Sequence, residues 1–129
     1  YIDDNKLHDQ IILIGFKKNI FKYLKNCKGF ILSSLWEDPG FVLVEAAFSR
    51  TPIFSSNCIN GPKELIVDNF NGILFESNNI DDFVNKFEKF NNIDKQSNKM
   101  TLNSLKMSRK FTLFNHYIKF NYLLNHERH

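Results

Sequence analysis

Short apolar runs that stop at glycine or small polar residues alternate along this chain with stretches of helical period. Ile11-Ile12-Leu13-Ile14 has no polar break and ends at Gly15, the pattern of a strand covered on both faces of a parallel sheet. Gly29-Phe30-Ile31-Leu32-Ser33 repeats it, and a helix from about Asn19 to Asn26 fills the gap between them. The unit reads strand, helix, strand.

The nearly apolar stretch Phe41 to Phe48 is longer and richer in alanine than a strand would be, which predicts a buried helix. Ile53-Phe54-Ser55, after Pro52, is a third strand. Pro62 suits the first turn of a short helix running to about Val67, and Asn71-Gly72 is a turn that introduces a fourth strand, Ile73-Leu74-Phe75. Asp81 and Asp82 favour a helix start, with Phe83, Val84, Phe87 and Phe90 following at spacings of three and four. From about Ser97 to Leu124 the period is helical again. Leu102, Leu105, Phe111, Phe114, Tyr117, Ile118 and Tyr122 form the expected buried set. Strands alternating with helices predict an α/β domain, a Rossmann-like parallel sheet with flanking helices, its core over 1–95 and C-terminal helices over 96–129. Such sheets bind ligands at the carboxyl ends of their strands, so the loop Ser33 to Gly40 is the place to look.

With 129 residues, 43% of them hydrophobic, the chain has material for one ordinary core. Its 17 basic against 14 acidic residues give a net charge of only +3, too little for a nucleic-acid-binding arm. Lys17, Lys18, Lys22, Lys25 and Lys28 cluster near the first helix. They read first as a solvated face, and second as contact with an anionic surface, either a membrane or a charged acceptor. Cys27 and Cys58 lack metal or disulfide-framework spacing, and His8, His116, His126 and His129 lack both ligand spacing and a partner for catalysis. No metal or other cofactor is expected. No apolar run reaches membrane-span length, and the start Tyr1-Ile2-Asp3-Asp4 has neither Met nor a signal pattern. The expectation is an excised piece of a longer, cytoplasmic protein. The origin of the closing His-Glu-Arg-His stays open.

Glu37 lies in the loop and Glu45 just inside the predicted helix, seven residues apart. Between them the first N–H groups of that helix, at Gly40, Phe41 and Val42, have no internal partner and carry the positive dipole end, which suits a phosphate. Pro39 fixes the entry to the helix, and Gly40 admits a close ligand. Ionised carboxylates accept hydrogen bonds from vicinal hydroxyls, so a glutamate on each side of a phosphate cradle matches a sugar nucleotide. Glu45 could instead serve the helix dipole. Glu64, two residues after Pro62, reads as such a dipole partner.

The run Ser33-Ser34-Leu35-Trp36-Glu37-Asp38-Pro39-Gly40-Phe41-Val42-Leu43-Val44-Glu45-Ala46-Ala47 resembles the E-x7-E signature of the family 4 glycosyltransferases, retaining enzymes of two-domain GT-B type. Thr51 to Cys58 resembles the strand after that signature, Asn60-Gly61-Pro62-Lys63-Glu64-Leu65-Ile66 its G-P-x-E motif, and Asn71 to Phe75 its next turn and strand. The resemblance covers roughly Ile11 to Phe90. It implies that Glu37 contacts the transferred sugar as the catalytic residue, that the amides of Gly40, Phe41 and Val42 meet sugar and phosphate, and that Glu45 binds ribose. Gly15 and Phe16 resemble the loop that meets the base, a structural turn being the equal alternative. Asp38 replaces a common glycine, which alters the loop that shapes sugar preference.

The implied donor is a nucleoside-diphosphate sugar and the acceptor a glycan or lipid-linked sugar, with no nucleic acid. The implied enzyme needs an N-terminal acceptor domain and a basic pair for the diphosphate, neither of which this sequence matches. The fragment is therefore expected to be inactive alone, at most peripheral at the inner face of a membrane. A sugar-nucleotide 2-epimerase and a non-catalytic nucleotide- or sugar-binding domain are the competing readings.

Overall fold

The computed structural model describes residues 1–94 and 99–126. Three strands, β1 (Phe30–Leu32), β2 (Ile53–Ser56) and β3 (Ile73–Phe75), form a parallel sheet in that order. Phe30 to Leu32 pairs with Ile53 to Ser55, and Phe54 to Ser56 with Ile73 to Phe75. The helices are α1 (Phe21–Asn26), α2 (Phe41–Phe48), α3 (Pro62–Leu65), α4 (Ile80–Asn91), α5 (Lys99–Ser108) and α6 (Leu113–His126), with a 3-10 turn at Arg109–Phe111. The predicted α/β architecture is the observed one.

Side chains of β2 alternate between two cores, as a fully buried strand requires. Ile53 joins Leu24, Leu43, Ala46, Ala47 and Ile66 on the side of α1 and α2. Phe54 points the other way, into Ile73, Phe75 and Phe90 beneath α4. Its ring centroid lies 4.7 Å from Phe75, 5.1 Å from Phe83 and 5.1 Å from Phe90, so α4 is held by an aromatic cluster. The start of α4 is capped by Asn79, whose side chain accepts from the Asp82 N–H. Asp82 in turn accepts from the Glu76 N–H at 2.6 Å and pairs with Lys86 at 3.0 Å. At the outer edge of β3, Asp68 accepts from the Leu74 N–H and Lys86 donates to the Leu74 carbonyl, each at 2.8 Å. These two side chains satisfy the edge that no strand covers.

Two expectations are corrected. Ile11 to Ile14 is not a strand, and Ile12 and Leu13 are 76% and 83% exposed. A strand needs a partner for its N–H and C=O groups, and none of the three strands is paired with this segment. In the C-terminal helices Leu102, Phe111, Phe114, Tyr117, Ile118 and Tyr122 are exposed and Leu105 is half-buried. What α5 buries is Thr101, Ser104 and Ser108, on the helix that packs against α2. Small side chains at spacings of three and four let two helices approach closely, and apolar periodicity passes over them.

Around α1 the five lysines are exposed, and only Lys22 and Lys25 lie within the helix. Cys27 and Cys58 are not joined in a disulfide, and the Cys27 thiol donates to the Leu24 carbonyl at 3.3 Å. No described helix is long and apolar enough to cross a membrane.

Candidate functional site

The loop after β1 is fixed by the chain that follows β2. The Ser56 hydroxyl, buried at the end of β2, donates to the Ser34 carbonyl at 2.6 Å. Trp36 forms a parallel bridge with Ile59, and the Glu37 N–H donates to the Ile59 carbonyl at 3.3 Å. Gly61, at φ +91°, comes so near that a Cβ on it would stand 2.3 Å from the Pro39 carbonyl oxygen. Only a residue without a side chain permits that approach. Residues 36–40 are thus clamped at both ends, at the carboxyl edge of the sheet.

Gly40 turns the chain into α2 with φ +74°, and no side chain caps the helix it starts. The Glu37 side chain folds back over this turn, its Oε2 3.4 Å from where a Gly40 Cβ would stand. A carboxylate therefore sits beside amides that carry the positive end of the α2 dipole. Glu45, the fifth residue of α2, is half-buried, and its carboxylate has no hydrogen bond or ion pair among the described residues. Asp38 and Phe41 are exposed, and Val42 is half-buried. The arrangement can present one carboxylate, a set of uncapped amides and a second carboxylate in succession along a ligand.

Of the residues selected from sequence, Glu37, Asp38, Gly40, Phe41, Val42 and Glu45 are brought together by this loop and helix. Gly15 and Phe16 are not joined to it by any hydrogen bond among the described residues, and Phe16 is 93% exposed. Glu64 is exposed in the first turn of α3, where the dipole reading puts it. His8 pairs with Asp3 at 2.8 Å and His126 stacks on Tyr122, while His129 lies outside the described residues. No group of three or more metal-ligating side chains occurs among the described residues.

Sequence reasoning missed the contribution of the C-terminal helices. A cleft of about 430 Å³ beside Pro39 and Phe41 is lined by Lys110, His116 and Lys119. The available signal was charge: Lys99 to His126 contains five lysines or arginines and no carboxylate.

The family model for "Glycosyl transferases group 1" matches residues 1–107. The chain belongs to this family. Among its relatives is the UDP-Gal:alpha-D-GlcNAc-diphosphoundecaprenol alpha-1,3-galactosyltransferase of Escherichia coli, 36% identical over 80% of this chain and 26% of that one. The poly(ribitol-phosphate) alpha-N-acetylglucosaminyltransferase of Staphylococcus aureus is 32% identical over 72% of this chain and 19% of that enzyme. The chain thus spans 26% and 19% of the length of these two curated relatives. Among solved structures, Staphylococcus aureus TarM in complex with fondaparinux, alpha-GlcNAc-glycerol and UDP matches 96% of the chain and 25% of TarM, with TM-score 0.82 and 27% identity. Anabaena Alr3699/HepE, in complex with UDP and glucose, shares the fold with TM-score 0.79 over 93% of the chain and 34% of HepE, at 21% identity.

Proposed function

We propose that this chain is the nucleotide-sugar-binding part of a retaining, family 4 glycosyltransferase with an E-x7-E signature. The observation that carries the reading is the Glu37 carboxylate folded over Gly40 at the uncapped start of α2, with Glu45 half-buried one turn on. The amides of Gly40, Phe41 and Val42 hold the diphosphate of the donor, Glu37 the hydroxyls of its sugar, and Glu45 those of its ribose. Gly15 and Phe16 meet the base. The UDP bound by TarM and by HepE, and the UDP-galactose donor of the Escherichia coli relative, support a nucleoside-diphosphate sugar as ligand.

In the transfer, the bond from the sugar C1 to the diphosphate oxygen breaks and a bond from C1 to the acceptor hydroxyl oxygen forms on the same face. The hydroxyl proton passes to the departing phosphate. Uncapped amides aimed at that phosphate stabilise the charge it gains, and the loop clamp holds them in place beforehand. No separate protein base is required on this route. The acceptor is a glycan or a lipid-linked sugar, as the diphosphoundecaprenol-linked GlcNAc is for the Escherichia coli relative.

Residues 1–95 form the nucleotide-binding core and 96–129 the C-terminal helices. The acceptor domain and a basic pair for the diphosphate belong to the remainder of the enzyme, so the chain alone binds a donor without turnover. NMR titration with UDP, GDP and ADP tests this. One of the three should shift the amides of Gly40 to Val42, and shifts confined to other segments would overturn the reading.

A further inference from the structure

Each of the helices α1 to α5 buries at least one residue, whereas α6 buries none. Leu113, Tyr117, Phe120 and Leu124 recur along α6 at spacings of four, three and four, the period of one helix face. They are 89%, 62%, 53% and 53% exposed. Asn115 is half-buried, and its side chain donates to the Arg109 carbonyl at 2.6 Å, which marks the side of α6 turned towards the preceding turn. At about 100° of rotation per residue, that side lies nearly opposite the apolar stripe. The stripe therefore faces outward.

A contiguous exposed apolar face marks an interaction surface, and the charges around this one indicate its partner. From Lys99 to His126 there are five lysines or arginines and no carboxylate, with Arg109 and Lys110 exposed at the start of α6. A set of charges of one sign complements an anionic surface. The 14 residues of α6 give a length of about 21 Å, too short to cross about 30 Å of hydrocarbon but sufficient to lie along its boundary. Tyrosine suits that boundary, since its ring is apolar and its hydroxyl stays wet.

We propose that α6 is a membrane-surface helix that lies in the headgroup region of an anionic bilayer. Leu113, Tyr117, Phe120 and Leu124 enter the lipid, while Arg109, Lys110 and the rest of the basic segment attract the lipid phosphates. The inference uses no part of the transferase reading.

The test is co-sedimentation of the 129-residue chain with vesicles of phosphatidylcholine and phosphatidylglycerol in equal parts, set against vesicles of phosphatidylcholine alone. The mixed vesicles should bind about tenfold more tightly, and most of that difference should vanish when salt is raised to about 1 M. Tyr117→Ser/Phe120→Ser/Leu124→Ser should weaken binding by about tenfold or more, and Arg109→Gln/Lys110→Gln by about tenfold on the mixed vesicles alone. All of these side chains are exposed, so the urea midpoint should stay at the wild-type value. Ile12→Ser/Leu13→Ser, on the other exposed apolar run, and the replacement of Lys17, Lys18, Lys22 and Lys25 by Gln should each change binding less than about twofold.

Equal binding to neutral vesicles, or loss of binding in either control variant with the α6 variants unaffected, would overturn the proposal. So would a chain that ignores vesicles and instead forms a dimer that Tyr117→Ser/Phe120→Ser/Leu124→Ser dissociates, since the face would then belong to a second copy.

Discussion

Gly61→Ala tests whether the clamp on residues 36–40 is as tight as the geometry says. The added Cβ would stand 2.3 Å from the Pro39 oxygen and 2.9 Å from its carbonyl carbon, both backbone atoms. Neither can swing aside as a flexible side chain would. At φ +91° and ψ −78° the residue is also in a region that L side chains avoid, at a cost on the order of 1–3 kcal/mol. Relieving the overlap adds a further cost of roughly 1–3 kcal/mol, as overpacking usually does. The expected loss is therefore about 2–6 kcal/mol, a large share of the stability of a domain this size. With a urea slope of about 2 kcal/mol per M, the unfolding midpoint should fall by about 1–3 M.

Gly15→Ala is the matched control, because Gly15 has φ +60° but no heavy atom within 4 Å of its added Cβ. It carries the left-handed backbone cost alone, on the order of 1–2 kcal/mol, in a segment outside both core clusters. Its midpoint should move less than half as far. Equal shifts for the two variants, or a Gly61→Ala loss under 1 kcal/mol with unchanged amide shifts at Glu37 and Gly40, would refute the clamp.

Three other outcomes follow from the same structure. The Glu76 N–H, and then Lys86, hold the Asp82 carboxyl below its ordinary value of 3.8. A depressed carboxyl stabilises the fold above its unfolded pKa and loses that contribution as pH falls through the folded one. The stability gap between wild type and Asp82→Asn should thus be constant above about pH 5 and shrink below 3.8, and a gap independent of pH would contradict it. Ser104→Leu places a large side chain in the close α2–α5 contact and should destabilise by about 1–3 kcal/mol in urea unfolding, although leucine is the better helix former. Replacing Lys17, Lys18, Lys22 and Lys25 together by Gln should shift stability by no more than about 0.5 kcal/mol each, measured the same way.

From Phe30 to Phe75 the fold was legible, because each strand there is a short apolar run between strong breakers, although β1 is not covered on both faces as expected and leaves Ile31 44% exposed. The bounds of α2 and β3 agree with the expected Phe41 to Phe48 and Ile73 to Phe75, since Gly40 and the Asn71-Gly72 turn mark where each must begin. Ile11 to Ile14 misled because an apolar run records what a strand would bury and says nothing of whether a neighbour exists to pair with it. The C-terminal helices misled for a related reason. Their period was right, but which face is buried depended on α2, which accepts Thr101, Ser104 and Ser108. At the site, the spacing of Glu37 and Glu45 was readable, as was the turn at Gly40. The contact of Gly61 with Pro39, and the arrival of Lys110 and Lys119 beside Phe41, join residues far apart in the chain, and no local pattern encodes them.

The central claim is that Glu37 and Glu45 belong to different parts of one donor site, and a nucleotide titration of Glu45→Gln against Glu37→Gln tests it most directly. Losing the charge-assisted bonds to ribose should cost Glu45→Gln roughly 1–3 kcal/mol, or about fivefold to hundredfold in affinity for the nucleoside diphosphate that binds. Glu37→Gln, whose partner is the sugar that a bare nucleotide lacks, should bind it within twofold of wild type. Equal affinity of Glu45→Gln and wild type for UDP, GDP and ADP alike would contradict the account.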